Sequence, residues 1–425
     1  MTAVKTHKMD ECGCDAGAQG SVMMSVELAL QQINSRILSL SDAEDVPLKD
    51  AIGRVLAQPV VSRAPSPPFN SAAMDGYAVQ VRSLSGTGPW TLKVCGRQAA
   101  GEAVSSTVTE HSAVRILTGA PVPPGAESIL RQEDVTRDHD TVTIYRKPGI
   151  GENIRLKGSV LSPGQSVLEA GCLLSPRSIA AAASAGVHKL RVRRRLRVAL
   201  LVTGDEILPA GKTPQNAQIW DVNTPLFDAT LSNPLFDVVK TIHLEDNAEG
   251  VRAAFAASLE TADLIVTTGG ISAGEEDHVL PAAQVLGVSL LFSGVAIKPG
   301  KPVSCGTIGS AVWIGLPGNP LAAFTTWQVF GRAIVSALLS AKLNQRIQYA
   351  VTARSVKRSP GRIEFRPARL VGIDPYCRDI VDFDDSIDSS HAAALAGADG
   401  LVMLPADEDT LPEGSLVEFL PFCSI

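Results

Sequence analysis

The apolar residues of the N-terminal segment follow a helical period. After Ser25, a residue type that caps helices well, apolar positions recur three or four residues apart at Val26, Leu30, Ile33 and Ile37. A second, alanine-rich helix is predicted over residues 177–187. We interpret residues 22–63 and 151–195 together as one linking domain of mixed α/β structure.

Between these two segments the pattern changes to the alternation that is typical of strands. A proline-rich stretch, APSPPFNSAAMDGYAV, begins at Ala64 and argues against regular structure at its start. Short strands are predicted beyond it, at residues 76–80, 90–95, 114–117 and 141–146. We therefore expect an inserted β domain over residues 64–150.

From residue 196 the chain alternates continuous apolar strands with helices. Strands are predicted at 198–202, 236–242, 264–266, 289–295, 302–306 and 312–315. Helices are predicted at 223–232, 248–259 and 277–286, and from the PGNP sequence to about 339. This alternation indicates βαβ units, so residues 196–340 should form a central three-layer α/β core with a mostly parallel sheet. Residues 346–425 lack long helical patterns and should form a C-terminal β domain.

Composition narrows the class of protein. The chain has 425 residues and a net charge of −6, so a general nucleic-acid surface is not expected, and the basic run Lys189–Arg197 is interpreted as a strand flank or linker. There is no apolar run long enough to span a membrane. Residues 1–21 lack an apolar signal core and are expected to be a flexible tail. The seven scattered cysteines indicate reduced thiols in the cytoplasm; Cys12 and Cys14 could bind metal, but no second ligand pair lies nearby.

One loop in the core combines features of phosphate and cation binding. The sequence TTGGISAGEEDHV follows the strand at 264–266, with Gly269 and Gly270 at a sharp turn and Asp277 closing an acidic run. Backbone N–H groups of such a loop can face an anion, while carboxylates hold Mg²⁺. An ordinary surface loop between a strand and a helix remains the alternative for this motif taken alone.

Two further loops should meet it, because ligands bind at the carboxyl ends of parallel strands. TGDE places Asp205 and Glu206 after one strand, and PGNP follows another. Asn319 can cap a helix and Pro320 suits its first turn, so the exposed N–H groups there favour an anion. The segment IKPGKP adds two lysines near the same strand ends.

Other catalytic motifs are missing from the sequence. It has no Walker P-loop, no nucleophile-elbow serine and no GxGxxG in a dinucleotide-binding context, and its histidines lack metal-ligand spacing. Outside the core, the loops MDGY and TGAP are unusual but uninformative when each is taken alone.

Taken together, the motifs carry a resemblance. From about residue 22 onward the chain resembles the molybdopterin molybdenumtransferase family of molybdenum cofactor biosynthesis, which includes the gephyrin E domain. The matching pieces occur in the family's order: PPFNSAAMDGYAV, RILTGAPVPPGAESILRQED, GENIRLKG, VTGDEI, IWDVNTP, TTGGISAGEEDHV, AIKPGKP, GLPGNP and GRIEFRPARL. The resemblance implies a four-part subunit that forms a homodimer. It also implies an enzyme that binds adenylylated molybdopterin and molybdate with Mg²⁺, releases AMP and leaves molybdenum on the dithiolene.

The resemblance also implies roles for individual residues. The implied catalytic residues are Asp75, Thr118, Glu206 and Asp246. The implied substrate-binding residues are Asp205, Gly269, Gly270, Ser272, Gly274, Lys298, Lys301, Pro317, Asn319 and Pro320. Asp277 and Glu206 are the implied metal ligands. In the family the site lies between the α/β domain of one subunit and the smaller domains of the other.

One departure leaves alternatives open. After NIR the family usually has Gly-Glu-Asp or Gly-Ser-Asp, whereas this chain has Gly158, Ser159 and Val160. The missing acid favours a second hypothesis, a binding or scaffold protein that holds the nucleotide-pterin without inserting metal, while the intact core loops oppose it. A third is a tungstate-preferring enzyme. Other cofactor-biosynthesis proteins and recipient molybdoenzymes are further expected partners that the sequence does not specify.

Overall fold

The computed structural model describes residues 23–215, 217–271, 277–343, 347–384 and 392–422. The predicted tail and four of the residues singled out above lie outside these ranges: Cys12, Cys14, Ser272 and Gly274.

A six-stranded sheet forms the centre of the molecule. In spatial order its strands are Phe236–Leu244, Leu196–Thr203, Leu264–Thr268, Ala311–Leu316, Ser304–Ile308 and Ser289–Ser293. The first three pairings are parallel and the last two are antiparallel. The mostly parallel α/β core is therefore present, and all six of its strands overlap those predicted from the apolar pattern.

Helices cover both faces of this sheet. Along the strand Leu196–Thr203, Val198 and Leu200 belong to one apolar cluster, while Ala199 and Leu201 belong to another. Both sides are buried because successive strand residues point to opposite faces. The helical segments of this region are Asn223–Leu231, Ala248–Leu259, Val279–Val285, Pro320–Thr326, the π-helical turn Trp327–Gly331, and Arg332–Leu339.

The longest apolar helix is part of this core. Within the described ranges, the stretch Pro320–Leu339 alone meets the length and composition expected of a membrane-crossing helix. However, 67% of its apolar window is buried inside the protein. Its Trp327 packs edge-on against Phe227 with ring centroids 5.8 Å apart. We therefore interpret the stretch as a core helix.

The N-terminal helix, which belongs to the segment assigned to the linking domain, also packs on the core. It spans Val26–Arg36 and is capped by the Ser25 side chain, as predicted. Its buried residues belong to the same apolar cluster as the core sheet. The chain around it is bonded to core segments, since Leu40 N–H donates to the Leu338 carbonyl at 2.8 Å.

The rest of the linking region consists of short pieces. The strand pairs are Ala43–Pro47 with Lys189–Arg193, Val60–Val61 with Ser166–Leu168, and Ser71–Ala72 with Ile154–Arg155, and the helix is Pro176–Ser184. Much of the basic run thus lies within a strand. Beyond its end, Arg194 and Arg197 both bond the buried carboxylate of Asp263, with shortest N–O distances of 2.6 and 2.8 Å. Arg194, which also bonds Asp42 at 2.9 Å, therefore fastens the linking region to the core, while Arg197 binds Asp263 from within the core sheet.

The inserted β region forms a second six-stranded sheet. Its strands in spatial order are Ser128–Arg131, Gly76–Val79, Ser112–Ile116, Trp90–Gln98, Thr141–Ile144 and Val135–Asp138. Gly76 is required in its central strand, because a Cβ there would lie 1.8 Å from the Leu130 carbonyl oxygen. This packing fixes the backbone next to Asp75.

A third sheet occupies the C-terminal region and closes on itself. Its strands are Ile297–Lys298, Ile363–Ile373, Asp379–Asp382, Gln348–Thr352, Leu416–Pro421 and Gly400–Leu404. A further pairing joins Ile363–Ile373 to Gly400–Leu404, so the last five strands form a small barrel. Ile297–Lys298 comes from the segment assigned to the core, yet it pairs with this C-terminal sheet.

Several smaller elements lie outside the three large sheets and the core helices. They are the strand pairs Ile207–Leu208 with Ile219–Trp220 and Val356–Lys357 with Thr410–Leu411, the 3-10 turns Leu48–Asp50, Val81–Ser83 and Gln132–Asp134, and the helix Ala393–Ala396.

Candidate functional site

Three predicted loops meet at the carboxyl ends of the core strands. A Cβ added to Gly269 would lie 2.7 Å from the Thr203 hydroxyl, and one added to Gly318 would lie 3.6 Å from the Gly269 Cα. Gly269 and Gly270 both have positive φ, 87° and 60°, a conformation that favours glycine. The loops after Thr203, Thr268 and Leu316 thus share one surface, as the parallel sheet predicts.

Two carboxylates link the loop after Thr203 to the loop after Leu244. The Asp246 N–H donates to Asp205 Oδ1 at 2.9 Å, and the Asp205 N–H donates to Asp246 Oδ2 at 3.3 Å. Burial raises the pKa of Asp246, and the charges of Asp205 and Glu206 raise it further, against opposing effects of the Asp205 hydrogen bond and His278. The three carboxylates therefore form a negative patch that would favour a cation beside it.

The carboxylate oxygens of this patch suit Mg²⁺ only if substrate phosphates and water supply the remaining ligands. In the described part of the chain, no group of three or more His, Cys, Asp or Glu residues is arranged to hold a metal ion. Asp277 is partly buried, and it borders residues 272–276, which are not described. Mg²⁺ in proteins is often held by one or two carboxylates together with substrate phosphates and water. Asp205, Glu206, Asp246 and Asp277 fit that arrangement.

The segment IWDVNTP supports the PGNP loop, a role that its sequence did not reveal. The buried Asn223 donates from Nδ2 to the Gly318 carbonyl at 2.6 Å. Asp221 is also buried; its Oδ1 accepts from the Thr224 N–H at 3.0 Å, and its Oδ2 lies 3.5 Å from His243 Nε2. Asn223 therefore holds the backbone of the loop that carries Asn319.

The predicted helix start at PGNP is present, but one detail of the prediction is wrong. Asn319 occupies the N-cap position, and Pro320 is in the first turn. The Asn319 side chain makes no capping bond, although its backbone carbonyl accepts from the Ala323 N–H at 2.9 Å. Pro317 is buried, whereas Gly318 and Asn319 are exposed.

The IKPGKP segment lies between the core and the C-terminal barrel. Gly300 packs against the core helix, since a Cβ there would lie 2.3 Å from Thr326 Cγ2. Lys301 is partly buried, and its carbonyl accepts from the Val295 N–H at 2.9 Å. The Lys298 ammonium lies 3.4 Å from the Glu364 carboxylate of the barrel. Sequence analysis missed Glu364, although GRIEFRPARL was among the matching motifs.

The predicted residues outside the core pair with each other. Both the N–H and the hydroxyl of Thr118 donate to Asp75 Oδ1, at 2.8 and 2.6 Å. These bonds, the hydroxyl first, lower the pKa of Asp75, and the charge of Arg115 lowers it further. Arg115 in turn stacks on Tyr77, with its guanidinium 5.0 Å from the ring centroid. Asp75 is therefore held as a carboxylate in a fixed direction.

Val160 is an exposed side chain in the linking region. It is 67% exposed, and its N–H donates to the Ser66 carbonyl at 2.9 Å. Glu152, an acid of the preceding segment of the chain, is bound by Arg146 and by the Gly149 N–H, which lower its pKa to about 2. These partners hold Glu152 as a carboxylate.

Some buried polar atoms at the strand ends have no protein partner. Within the described residues, Thr203 Oγ1, Thr268 Oγ1 and Asn223 Oδ1 are buried without a hydrogen bond. Buried polar atoms are usually paired, and unpaired ones concentrate at functional sites or beside bound water. All three belong to or support the loops that converge here.

The fold and these loops define a class of protein first: an α/β ligand-binding core joined to an inserted β region and a C-terminal barrel. Known families match each part. Residues 24–186 match the MoeA N-terminal region (domain I and II), 199–337 match a family described as "Probable molybdopterin binding domain", and 349–422 match the MoeA C-terminal region (domain IV).

Individual relatives narrow this class. The chain is 34% identical to the molybdopterin molybdenumtransferase of Haemophilus influenzae, over 80% of this chain and 85% of that protein. It is 32% identical to molybdopterin molybdenumtransferase 2 of Mycobacterium tuberculosis, over 88% and 93%. A crystal structure of a molybdopterin biosynthesis moeA protein from Pyrococcus horikosii superposes with a TM-score of 0.79 and 27% identity, covering 95% of this chain and 100% of that one. The chain belongs to the molybdopterin molybdenumtransferase family.

Proposed function

We propose that this enzyme inserts molybdenum from molybdate into adenylylated molybdopterin and releases AMP. The observation that carries the proposal is the convergence of the loops after Thr203, Thr268 and Leu316 beside the carboxylates of Asp205 and Asp246. A Gly-rich surface next to carboxylates suits a phosphoanhydride neutralised by a cation. The curated relatives named molybdopterin molybdenumtransferase support the same assignment.

In this proposal each group has a separate task. Backbone N–H groups at Gly270 and at the start of the Pro320 helix bind phosphate oxygens, whereas the Gly269 N–H already donates to the Leu316 carbonyl at 3.1 Å. Mg²⁺, held by oxygens of Asp205, Glu206, Asp246 or Asp277, would neutralise phosphate charge. Lys298 and Lys301 attract the oxyanion, because they are the cations of the segment beside the PGNP helix.

Asp75 and Thr118 are proposed to complete the site from a second subunit. The two hydrogen bonds that Thr118 donates favour the ionised form of Asp75, so Asp75 can also accept bonds from substrate groups. This arrangement requires a homodimer. Mixing an Asp75→Ala subunit with an Asp277→Ala subunit should restore activity in the heterodimer. A monomer by light scattering, or mixed subunits without activity, would contradict the shared site.

The direct test is molybdate-dependent AMP release from adenylylated molybdopterin. We expect release that requires molybdate, and weaker Mg²⁺-dependent AMP binding in Asp277→Ala by calorimetry. Equal affinity of parent and variant would overturn the assignment of Asp277. Tight binding without AMP release would support the second candidate, a nucleotide-pterin-binding or scaffold protein, which Val160 favours. Release with tungstate but not molybdate would identify a tungstate-preferring enzyme.

The reducing cytoplasm is the proposed location. The four cysteines in the described ranges, Cys95, Cys172, Cys305 and Cys377, are all free thiols. Burial raises the pKa of the Cys305 thiol, which keeps it unreactive. Free thiols are typical of reducing compartments.

A further inference from the structure

Lys298 and Glu364 are direct neighbours on paired strands. The strands Ile297–Lys298 and Ile363–Ile373 run parallel, with Ile297 opposite Ile363 and Lys298 opposite Glu364. The ammonium nitrogen lies 3.4 Å from Glu364 Oε1. The backbone register of two separate regions therefore places this lysine beside this carboxylate.

Glu364 is the centre of a buried charge cluster. Arg366 Nε lies 3.0 Å from Oε1, and Arg358 Nε lies 3.4 Å from Oε2. Burial alone would raise the pKa of Glu364, but the Arg366 hydrogen bond and the charges of Arg366, Lys298 and Arg358 lower it. The cluster holds three cations around one carboxylate, which leaves an excess of positive charge among these four side chains.

The three cations differ in their access to solvent. The side chains of Arg358 and Arg366 are 1% and 4% exposed, whereas that of Lys298 is 46% exposed. The arginines also donate to carbonyls within the barrel, Arg358 to Glu408 and Arg366 to Asp384. Lys298 is thus the member of this group that can present positive charge outward.

From this geometry we propose that Glu364 is a positioning residue, which holds the Lys298 ammonium so that the C-terminal barrel sets its direction toward an anionic substrate group. Glu364 itself does not touch the substrate. The ligand chemistry is that of a tetrahedral oxyanion, whether free molybdate or a phosphate of the nucleotide. The identity of the substrate in this inference rests on the proposed function. The Lys298–Glu364 contact does not.

The contact is tested without any activity measurement. The full chain is pulse-labelled with an amine-acetylating reagent, and acetylation of Lys298 is quantified by mass spectrometry against the exposed Lys49 in the linking region. In Glu364→Gln we expect Lys298 to react roughly two- to fivefold faster, because its ammonium loses the partly exposed ion pair that holds it. An unchanged ratio would overturn the proposal.

The role in binding is tested by a double-mutant cycle. Glu364→Gln should raise the KM for molybdate or for adenylylated molybdopterin roughly three- to tenfold, with a smaller change in kcat. The substrate whose KM rises identifies the source of the anion. In a Lys298→Met background, Glu364→Gln should have no further effect on KM. Unchanged KM values for both substrates, or fully additive effects, would overturn the proposal.

A merely structural role predicts a different result. Arg358→Gln disturbs the same buried cluster but leaves the Lys298–Glu364 pair, so it should lower the thermal midpoint without raising KM. If Glu364→Gln does not fold, Glu364→Asp retains the charge and shortens the side chain, and the same labelling and KM tests apply to it. A parent enzyme without molybdate-dependent AMP release would contradict the proposed function, while the labelling result would still decide the contact.

Discussion

Asp205 and Asp246 each accept a hydrogen bond from the other's backbone N–H, at 2.9 and 3.3 Å. This reciprocal pair joins two strand-end loops that are 41 residues apart in the sequence. It also brings together carboxylates whose mutual repulsion contributes to the raised pKa of Asp246. The folded protein therefore keeps the carboxylates of Asp205 and Asp246 close together at the place where a cation-bound phosphate is proposed to lie.

The first prediction concerns the charge of this pair. Asp246→Asn keeps an oxygen that can accept from the Asp205 N–H, so the fold should be unchanged. Loss of the charge should weaken Mg²⁺-dependent AMP binding by about 1.5–3 kcal/mol, or roughly ten- to a hundredfold in Kd. Calorimetry with and without Mg²⁺ measures this, and the exposed neighbour Glu245→Gln is the matched control. Equal losses in both variants would contradict a specific role.

The second prediction concerns Asp75 and pH. The Thr118 hydroxyl is the main group that lowers the pKa of Asp75. In Thr118→Val the backbone N–H remains but the hydroxyl is lost, so the pKa should rise toward the ordinary value. A carboxylate with a raised pKa is neutralised at a higher pH as the solution is acidified. The acidic limb of kcat/KM for AMP release should therefore move to higher pH.

Thr118→Ser is the matched control for that measurement, because it keeps the hydroxyl donor. Its acidic limb should coincide with that of the parent enzyme. If Thr118→Val also coincides with the parent, ionisation of Asp75 does not control the reaction at low pH.

The third prediction concerns the junction between the linking region and the core. Burial alone would raise the pKa of Asp263, but hydrogen bonds from Arg194 and Arg197 outweigh it and lower the pKa to about 2 from 3.8. Because the pKa of Asp263 is lower in the folded protein than in the unfolded chain, the ionised carboxylate stabilises the fold at pH values above the unfolded-state pKa. This contribution is lost as the pH falls from about 4 to 2. The lowered pKa corresponds to about 2 kcal/mol of the free energy of unfolding.

Asp263→Asn should lose this pH-dependent stability, and about 3–5 kcal/mol in total, because two arginines lose their buried partner. Urea unfolding at neutral pH and between pH 4 and 2 measures both effects. Asp45→Asn is the control: its pair with Arg191 has side chains 59% and 42% exposed, and it should cost under about 1 kcal/mol. Equal destabilisation by the two variants would show that the buried Asp263 contributes no more to the free energy of unfolding than an exposed ion pair does.

The sequence predicted the parts of the structure that depend on local patterns. The helix Ala248–Leu259 has the predicted bounds, because Asn247 caps it and its apolar period is regular. The strand-end loops converge because their parallel strands place the carboxyl ends at one edge. Neither result required knowledge of distant contacts.

The relationships that sequence reasoning missed depend on partners far apart in the chain. Helix Val26–Arg36 was predicted correctly, but nothing in its own pattern shows that it packs on the core. Likewise, the two-residue strand at Ile297–Lys298 is too short to show a period, so its pairing opposite Glu364 could not be predicted. Asn319 has the right residue type for a cap but makes no side-chain capping bond, and the bond from Asn223 to the Gly318 carbonyl joins residues 95 apart in the sequence.

The last prediction concerns Val160, at the position where the family resemblance leads us to expect an acid. The side chain is 67% exposed, so Val160→Asp should not disturb the fold. A carboxylate here would add a charge-assisted contact to a cation, a water or the pterin, worth about 1.5–3 kcal/mol. If that contact forms only in the transition state, molybdate-triggered AMP release should be roughly ten- to a hundredfold faster in Val160→Asp.

Nucleotide affinity should stay the same in that variant, because the contact is absent from the ground state. Val160→Asn is the matched control, since it adds a polar group of similar size without the charge, and it should release AMP near the parent rate. Arg146 and the Gly149 N–H bind the carboxylate of Glu152, the neighbouring acid that could replace the missing one. Equal rates for the parent and Val160→Asp would mean that Glu152 replaces the missing acid or that the reaction needs no acid at this position.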